Sequence, residues 1–250
     1  MKLKVKAQEL TFGANILDIE VPAILREKFA CGLDYVDGAL GGRGFTPSTV
    51  TLFTGEPGAG KTTMMLNLAD RITKQGGVAL FNTAEESLYQ TAMTAQRLKL
   101  KNGFLTGGTA NVYELLEKSR AIMAANPGKR FFLIVDSLQC LFDPKYKNQE
   151  SVTNAGAIRA LAMITEFCKE TNAIGVVIGQ VTKGGQMAGS NKLKHMVDSM
   201  MHLSVERRDP DLMGCRVLET QKNRFGGCGH IYFLTLGRRG FRVAAKIANI

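Results

Sequence analysis

Apolar residues in this chain follow two rhythms, and their alternation sets the expected architecture. Four runs have the length and continuity of strands buried on both faces: Val50 to Phe53, Val78 to Phe81, Phe131 to Val135 and Ile174 to Ile178. Between them the spacing turns helical. Met65, Leu68, Ala69 and Ile72 recur at i, i+3, i+4 and i+7, and further helices are expected from about Ser87 to Lys99 and from Val112 to Ala124. Ile158, Leu161, Ala162, Thr165 and Cys168 mark one face of another helix of about 18 residues, and a short strand is expected near Phe104. Gly76-Gly77 ends the first helix, and Asn126-Pro127-Gly128 breaks the chain before the third strand. Met200 to Val205, Arg216 to Gln221, Ile231 to Leu236 and Phe241 to Ala244 have hairpin-like spacing, which predicts strands added in antiparallel fashion. The expected fold class is α/β, a mostly parallel central sheet with an antiparallel C-terminal extension. With 250 residues, 45% of them hydrophobic, one large domain is favoured over two. Residues 1–30 read as an N-terminal arm, a candidate for contact between subunits, and residues 31–250 as the core.

The chemistry begins at Gly55-Glu56-Pro57-Gly58-Ala59-Gly60-Lys61-Thr62-Thr63, which reads G-x-x-x-x-G-K-[ST] between a strand and a helix. That context makes it a P-loop rather than a chance glycine-rich turn. The glycines let backbone N–H groups turn inward around phosphates, where a Cβ would collide. Lys61 reaches the β- and γ-phosphates, Thr62 offers a hydroxyl to Mg²⁺, and the following helix adds the positive end of its dipole. Asp136 ends the strand Phe131–Val135 as in a Walker B arrangement, where it would hold Mg²⁺ through a water. An acid there can also be an ordinary N-cap, and the P-loop upstream favours the metal. The cofactor set is ATP with Mg²⁺. The second strand delivers Asn82-Thr83-Ala84-Glu85-Glu86-Ser87 to the same edge, where open α/β sheets do chemistry, and Gln180 tips the strand Ile174–Ile178.

Charge then suggests a partner. Lys and Arg number 32 against 22 Asp and Glu, a net charge of +10. No carboxylate lies between Glu170 and Asp198, and seven cations after Gly214 face only Glu219. Nucleic acid is the leading partner. The loop Lys183 to Lys192, with three glycines, amides and lysines, suits a segment that tracks phosphates. The five cysteines, Cys31, Cys140, Cys168, Cys215 and Cys228, form no C-x-x-C pair and read as reduced thiols of a cytoplasmic protein. The start, Met1-Lys2-Leu3-Lys4-Val5-Lys6, lacks the apolar region of a signal peptide, and no window is apolar enough to span a membrane.

Further segments carry a resemblance. The stretch Gly32-Leu33-Asp34 to Leu40-Gly41-Gly42, the triplet Glu85-Glu86-Ser87, Val181-Thr182-Lys183, His195-Met196-Val197-Asp198 and above all Lys222-Asn223-Arg224-Phe225-Gly226 resemble motifs of the RecA superfamily. They are most similar to those of the bacterial RadA DNA-repair ATPases. The resemblance covers about residues 31–244 and implies a RecA-like P-loop core. It departs from that family in showing no four-cysteine zinc finger ahead of the core and no Lon-protease-like domain after it. By resemblance, Glu85 is the base that orients the attacking water, with Glu86 the alternative. Gln180 corresponds to the sensor of γ-phosphate status, against a plain polar strand cap. Lys222 and Arg224 resemble paired fingers inserted into a neighbour's ATP, against a basic hairpin face. Lys145, Lys147, Lys183, Lys192 and Lys194 are the candidate DNA contacts. The implied activity is that of an ATP-dependent motor on single-stranded DNA, acting in recombination, branch migration or repair. It would be a homo-oligomer, favoured as a ring hexamer over a filament. A DnaB-like replicative translocase is the alternative within the class, and a KaiC-like regulatory ATPase without DNA contact is one outside it. A monomeric P-loop kinase would leave the pentapeptide unexplained.

Overall fold

The computed structural model describes residues 13–145, 154–180 and 190–248. In chain order these form α1 (Ala23–Arg26), α2 (Asp34–Ala39), β1 (Val50–Gly55), α3 (Lys61–Lys74), β2 (Val78–Thr83), α4 (Leu88–Leu98), β3 (Leu105–Gly107) and α5 (Val112–Ala125). Then follow β4 (Phe131–Asp136), α6 (Asn154–Thr171), β5 (Ile174–Gln180), α7 (Ser190–Met196), β6 (Ser199–Val205), β7 (Arg216–Asn223), β8 (Ile231–Gly237) and β9 (Gly240–Ile247). All nine strands join one sheet in the order β3-β2-β4-β5-β1-β6-β7-β8-β9. Strands β3 to β6 of that order run parallel, and β7, β8 and β9 continue antiparallel.

The continuous apolar runs are explained by cover on both faces. In β4, Phe132 and Ile134 join Phe53, Phe81, Met65 and Leu68 on the α3 side. Phe131, Leu133 and Val135 join Leu115, Leu161, Ile164 and Phe167 on the α5 and α6 side. Alternate side chains of one strand thus feed two cores. Phe132 is fully buried and receives the ring edges of Phe29 and Phe45, at 5.0 and 5.5 Å between centroids. Backbone bonds between Phe29 and Phe45, N–H to O at 2.8 and 2.9 Å, hold that aromatic cluster together. Phe29, half-buried, packs against this core from within the segment read as an arm.

Two expectations need correction. The segment Met200–Val205 does not open the antiparallel extension: β6 lies parallel to β1, with Thr51 opposite Ser199 and Gly55 opposite Leu203. The chain between Gln180 and Ser199, which includes α7, returns it to the starting edge of the sheet, a crossover that tight hairpin spacing does not signal. The expected antiparallel order begins only at the turn from β6 to β7. On α6, the buried face is Ala157, Ala160, Leu161, Ile164, Phe167 and Cys168, while Ala162 is exposed and Ile158 and Thr165 are half-buried. The helix turns to bury Phe167, its largest apolar side chain, against Phe131 at 6.5 Å. Among the described residues no helix is long and apolar enough to cross a membrane.

Phe132→Ala should cost about 3–5 kcal/mol, because it empties a site enclosed by rings. Tyr89→Ala, at a side chain 86% exposed, should stay within about 0.5 kcal/mol. Chemical denaturation of the two variants side by side measures the contrast.

Candidate nucleotide site

The register of the sheet gathers the singled-out strand tips on one edge. Gly55 lies opposite Gln180 and Thr83 opposite Asp136. The chain leaves β1 at Gly55 and returns as α3 at Lys61, with Gly58 at φ +74° and Gly60 at φ +103°. A Cβ on Gly58 would meet open space, so its backbone angle alone requires glycine. At Gly60 a Cβ would also press on Phe241 at 2.9 Å, so β9 closes that flank.

The P-loop lysine and hydroxyl already have partners. Lys61 Nζ donates to Gly55 O at 2.9 Å and Glu56 O at 3.0 Å, folding back over its own loop. Burial lowers its pKa, and the charges of Asp136 and Glu85 oppose that shift. Thr62 Oγ1 donates to Asp136 Oδ2 at 2.6 Å. Asp136 is buried, and that burial pushes its pKa up to about 6. Thr62 and Lys61 pull it down, and Glu85 and Glu86 add to the rise.

Glu85 is set in place by the turn that follows β2. Thr83 Oγ1 accepts from the N–H of Glu86 at 3.1 Å and donates to its carbonyl at 3.0 Å. Ser87 then caps α4 in a reciprocal box with Gln90. Within this frame Gln180 Nε2 donates to Glu85 Oε2 at 3.0 Å, and the N–H of Gln180 donates to Gln139 Oε1 at 3.2 Å. Gln180 thus grips Glu85 rather than Glu86.

One contact at this edge had no signal in the spacing. Arg207, beyond β6, forms a two-pronged ion pair with the P-loop residue Glu56, at 2.9 and 2.6 Å. That guanidinium holds the Glu56 carboxyl below its ordinary value. Position x of the motif carries no charge requirement, and Arg207 lies 151 residues away, so only the fold brings them together.

The residues fit a nucleotide with Mg²⁺. Open space lies over Gly58, a lysine feels the charges of two acids, and a hydroxyl–carboxylate pair supplies hard oxygens. Among the described residues no group of three or more His, Cys, Asp or Glu could hold a metal by itself.

The remaining predicted residues lie elsewhere. Asn223 pairs with Ser199 and Ser199 with Thr51, which places the pentapeptide about 13 Å down the strands from Gly55, at the opposite edge. There Lys222 Nζ donates to the carbonyls of Lys194 and Val197 at 2.9 and 2.6 Å. Arg224 Nη1 donates to Asp198 Oδ1 at 3.2 Å, and Asp198 Oδ2 accepts from the N–H of Val50 at 3.1 Å. Lys192 and Lys194 are exposed on α7, whose end meets Lys222. Lys145 stands apart, its ammonium 4.6 Å from the ring centre of Tyr113. Lys147 and Lys183 lie outside the described residues.

Three curated relatives named DNA repair protein RadA are similar to this chain in sequence. That of Aquifex aeolicus is 34% identical over 215 residues, covering 86% of this chain and 46% of the relative. That of Campylobacter jejuni is 30% identical over 240 residues, covering 94% and 50%, and that of Mycobacterium tuberculosis 31% over 225, covering 88% and 44%. In sequence the chain is RadA-like over the part of each relative that it covers. It spans about half the length of the relatives it matches. The fold of this RadA-like core recurs in a solved ATPase domain, at TM-score 0.70 and 16% identity, covering 85% of this chain and 89% of that one. It recurs also in a DnaB-like replicative helicase, at TM-score 0.69 and 16% identity, covering 80% and 58%. No protein-family model matches the chain.

The buried carboxylate gives the RadA-like core a pH signature. The native state holds the Asp136 proton up to about pH 6, while the unfolded chain releases it near pH 4. Ionised Asp136 therefore weakens the nucleotide-free protein, by on the order of 3 kcal/mol above pH 6, and not at all below pH 4. Asp136→Asn should raise the thermal unfolding midpoint at pH 7.5 and leave it nearly unchanged at pH 4. An equal difference at both values would show that Asp136 does not titrate in this range.

Proposed function

We propose that this RadA-like core hydrolyses ATP with Mg²⁺ and couples turnover to single-stranded DNA in recombination, branch migration or repair. The observation that carries the reading is the convergence of Lys61, the Thr62–Asp136 pair and the Gln180–Glu85 pair on one strand edge. Backbone N–H groups of the P-loop and the Lys61 ammonium face the β- and γ-phosphates. Thr62 and Asp136 would hold Mg²⁺, which when bound neutralises charge on the phosphate oxygens. Glu85 orients a water and takes its proton as the water oxygen bonds to the γ-phosphorus and the bond to the β–γ bridging oxygen breaks. Gln180 positions Glu85 and opens the segment carrying Lys183, so a change at the γ-phosphate reaches the proposed DNA contacts. Those contacts are Lys145, Lys147, Lys183, Lys192 and Lys194, which follow the phosphate backbone.

Lys222 and Arg224 sit at the edge away from the P-loop, so a role at ATP requires the next copy of the chain. That supports an oligomer with shared sites, a ring hexamer in preference to a filament. The likeness in fold to a DnaB-like replicative helicase favours a second reading, a replicative translocase using the same ATP edge.

Lys61→Ala should abolish nucleotide binding, whereas Glu85→Gln should bind ATP and lose turnover by about 10² or more. Glu86→Gln should retain most turnover. Binding of labelled ATP and phosphate release, with and without oligo-dT, read both quantities. Loss of turnover in Glu86→Gln with Glu85→Gln unaffected would assign the base to Glu86. No stimulation by DNA, together with binding indifferent to salt, would remove DNA from the reading.

A further inference from the structure

A basic cleft lies along α3 beyond the P-loop, where the C-terminal ends of α3 and α4 meet the turn between β8 and β9. Its volume is about 550 Å³, and its lining includes Arg71, Lys74, Lys99, Lys101 and Arg239 against a single carboxylate, Asp70. The adjoining Arg97 donates through Nη1 to the carbonyl of Arg238 at 3.3 Å, so two further cations flank it. Among the described residues none of these seven cations takes part in an ion pair.

The cations are held there by separate devices. Asp70, buried in α3, accepts the N–H groups of Lys101, Asn102 and Gly103 at 3.1, 2.7 and 3.1 Å and the Asn102 amide at 2.8 Å. Its lone pairs are spent on pinning that loop to the helix, which leaves the surrounding cations without a carboxylate partner. Lys99 ends α4 in the left-handed conformation, at φ 56° and ψ 45°. Gly240, at φ +97°, brings the β8–β9 turn so close to α3 that a Cβ there would lie 2.9 Å from the Asn67 amide. That approach delivers Arg238 and Arg239. The negative end of a helix dipole accounts for Arg71, Lys74 and Arg97 near their helix ends. It does not account for Lys101, Arg238 and Arg239, which come from a loop and a hairpin turn. Like charges converging within a Debye length on a concave wall produce a focused positive potential, which a scattered surplus would not.

We propose that this cleft binds the sugar–phosphate backbone of a nucleic-acid strand at a second place on the molecule. No aromatic side chain lines it, so the recognition is of phosphate rather than of base. It is independent of the contacts placed on α7. Leu98, under the cleft, belongs to the core on the α3 side of the sheet, and Leu193, under α7, to the core on the α6 side. The two basic groups thus lie on opposite faces, and a strand held by one is not the strand segment held by the other.

The test uses the full chain with charge reversals Lys74→Glu, Lys101→Glu and Arg239→Glu combined, none of them a residue placed in the ATP site. Fluorescence anisotropy of labelled oligo-dT and of a labelled duplex is followed across a salt series. Each phosphate contact contributes about 0.7 to the slope of log affinity against log salt for a single strand. The triple variant should lose about 2 from the slope and at least tenfold in affinity, with an unchanged unfolding midpoint. Adding Lys192→Ala and Lys194→Ala should weaken binding further by a separate, multiplicative factor. Should the reversals lower the midpoint, the neutral set Lys74→Gln, Lys101→Gln and Arg239→Gln is read instead, with the same direction expected. Wild-type affinity and slope in a folded triple variant would overturn the cleft and leave the α7 contacts standing. Absence of any nucleic-acid binding by the wild-type chain would overturn both. A polyglutamate peptide that binds as tightly as the oligonucleotide, and loses its affinity in the triple variant, would assign the cleft to an acidic protein and overturn the proposal.

Discussion

The short hydrogen bond from Thr62 to Asp136 joins two elements that are distant in sequence and must meet for the site to exist. Asp136 ends β4 and Thr62 lies in the first turn of α3, and β5 stands between β4 and β1, the strand that leads into α3, so both strand registers have to be correct for a 2.6 Å contact. The bond also decides the electrostatics. A buried carboxylate held by one hydroxyl, with Glu85 and Glu86 adding like charge, is poorly neutralised in the nucleotide-free chain. In the proposed site that shortfall would favour a divalent cation. Lys61, meanwhile, rests on its own loop carbonyls, so exchanging those acceptors for phosphate oxygens needs a side-chain movement and no rebuilding of the loop.

The same sheet separates two chemistries. The P-loop, Glu85, Asp136 and Gln180 occupy the edge where the parallel strands end, and Lys222 and Arg224 the edge where they begin. In one chain the pentapeptide is structural: Asp198 ties β1 to the start of β6, and Arg224 keeps that buried carboxylate paired. Arg224 nonetheless keeps 52% of its side chain exposed. The Glu56–Arg207 pair adds a link of the opposite kind, from the nucleotide loop to the chain that leads into β7.

How much of this was legible depended on whether the information was local. The P-loop, the acid at the end of an unbroken apolar run and the amide tipping β5 were all readable, because motif, periodicity and strand-end position lie within a few residues of each other. The parallel course of β6 was not, since strand direction follows from the path of the crossover and from pairing with β1, about 150 positions earlier, rather than from spacing to the next strand. Nor was the turning of α6: Ile158, Ala162 and Thr165 keep helical spacing, but the bulk of Phe167 sets which stripe faces the sheet. The Glu56–Arg207 pair and the cleft around Asp70 were invisible for the same reason. Charged residues carry no periodic signature, and only the folded chain shows which of them converge. Lys145 and Lys194, alike as basic positions, are placed differently by the fold, one over the ring of Tyr113 and one on α7.

The central claim is that ATP is hydrolysed at a site to which one copy of the chain gives the P-loop edge and the next copy gives Arg224. Arg224→Ala and Glu85→Gln, each inactive alone, are to be mixed at equal total concentration and their phosphate release compared with either variant by itself. The account predicts that the mixture regains activity, because some interfaces then pair an intact Glu85 with a neighbour's intact Arg224, a finger worth on the order of 10³ in rate. Unaltered turnover in Arg224→Ala, or full turnover from a wild-type chain shown by sedimentation to be monomeric, would contradict it.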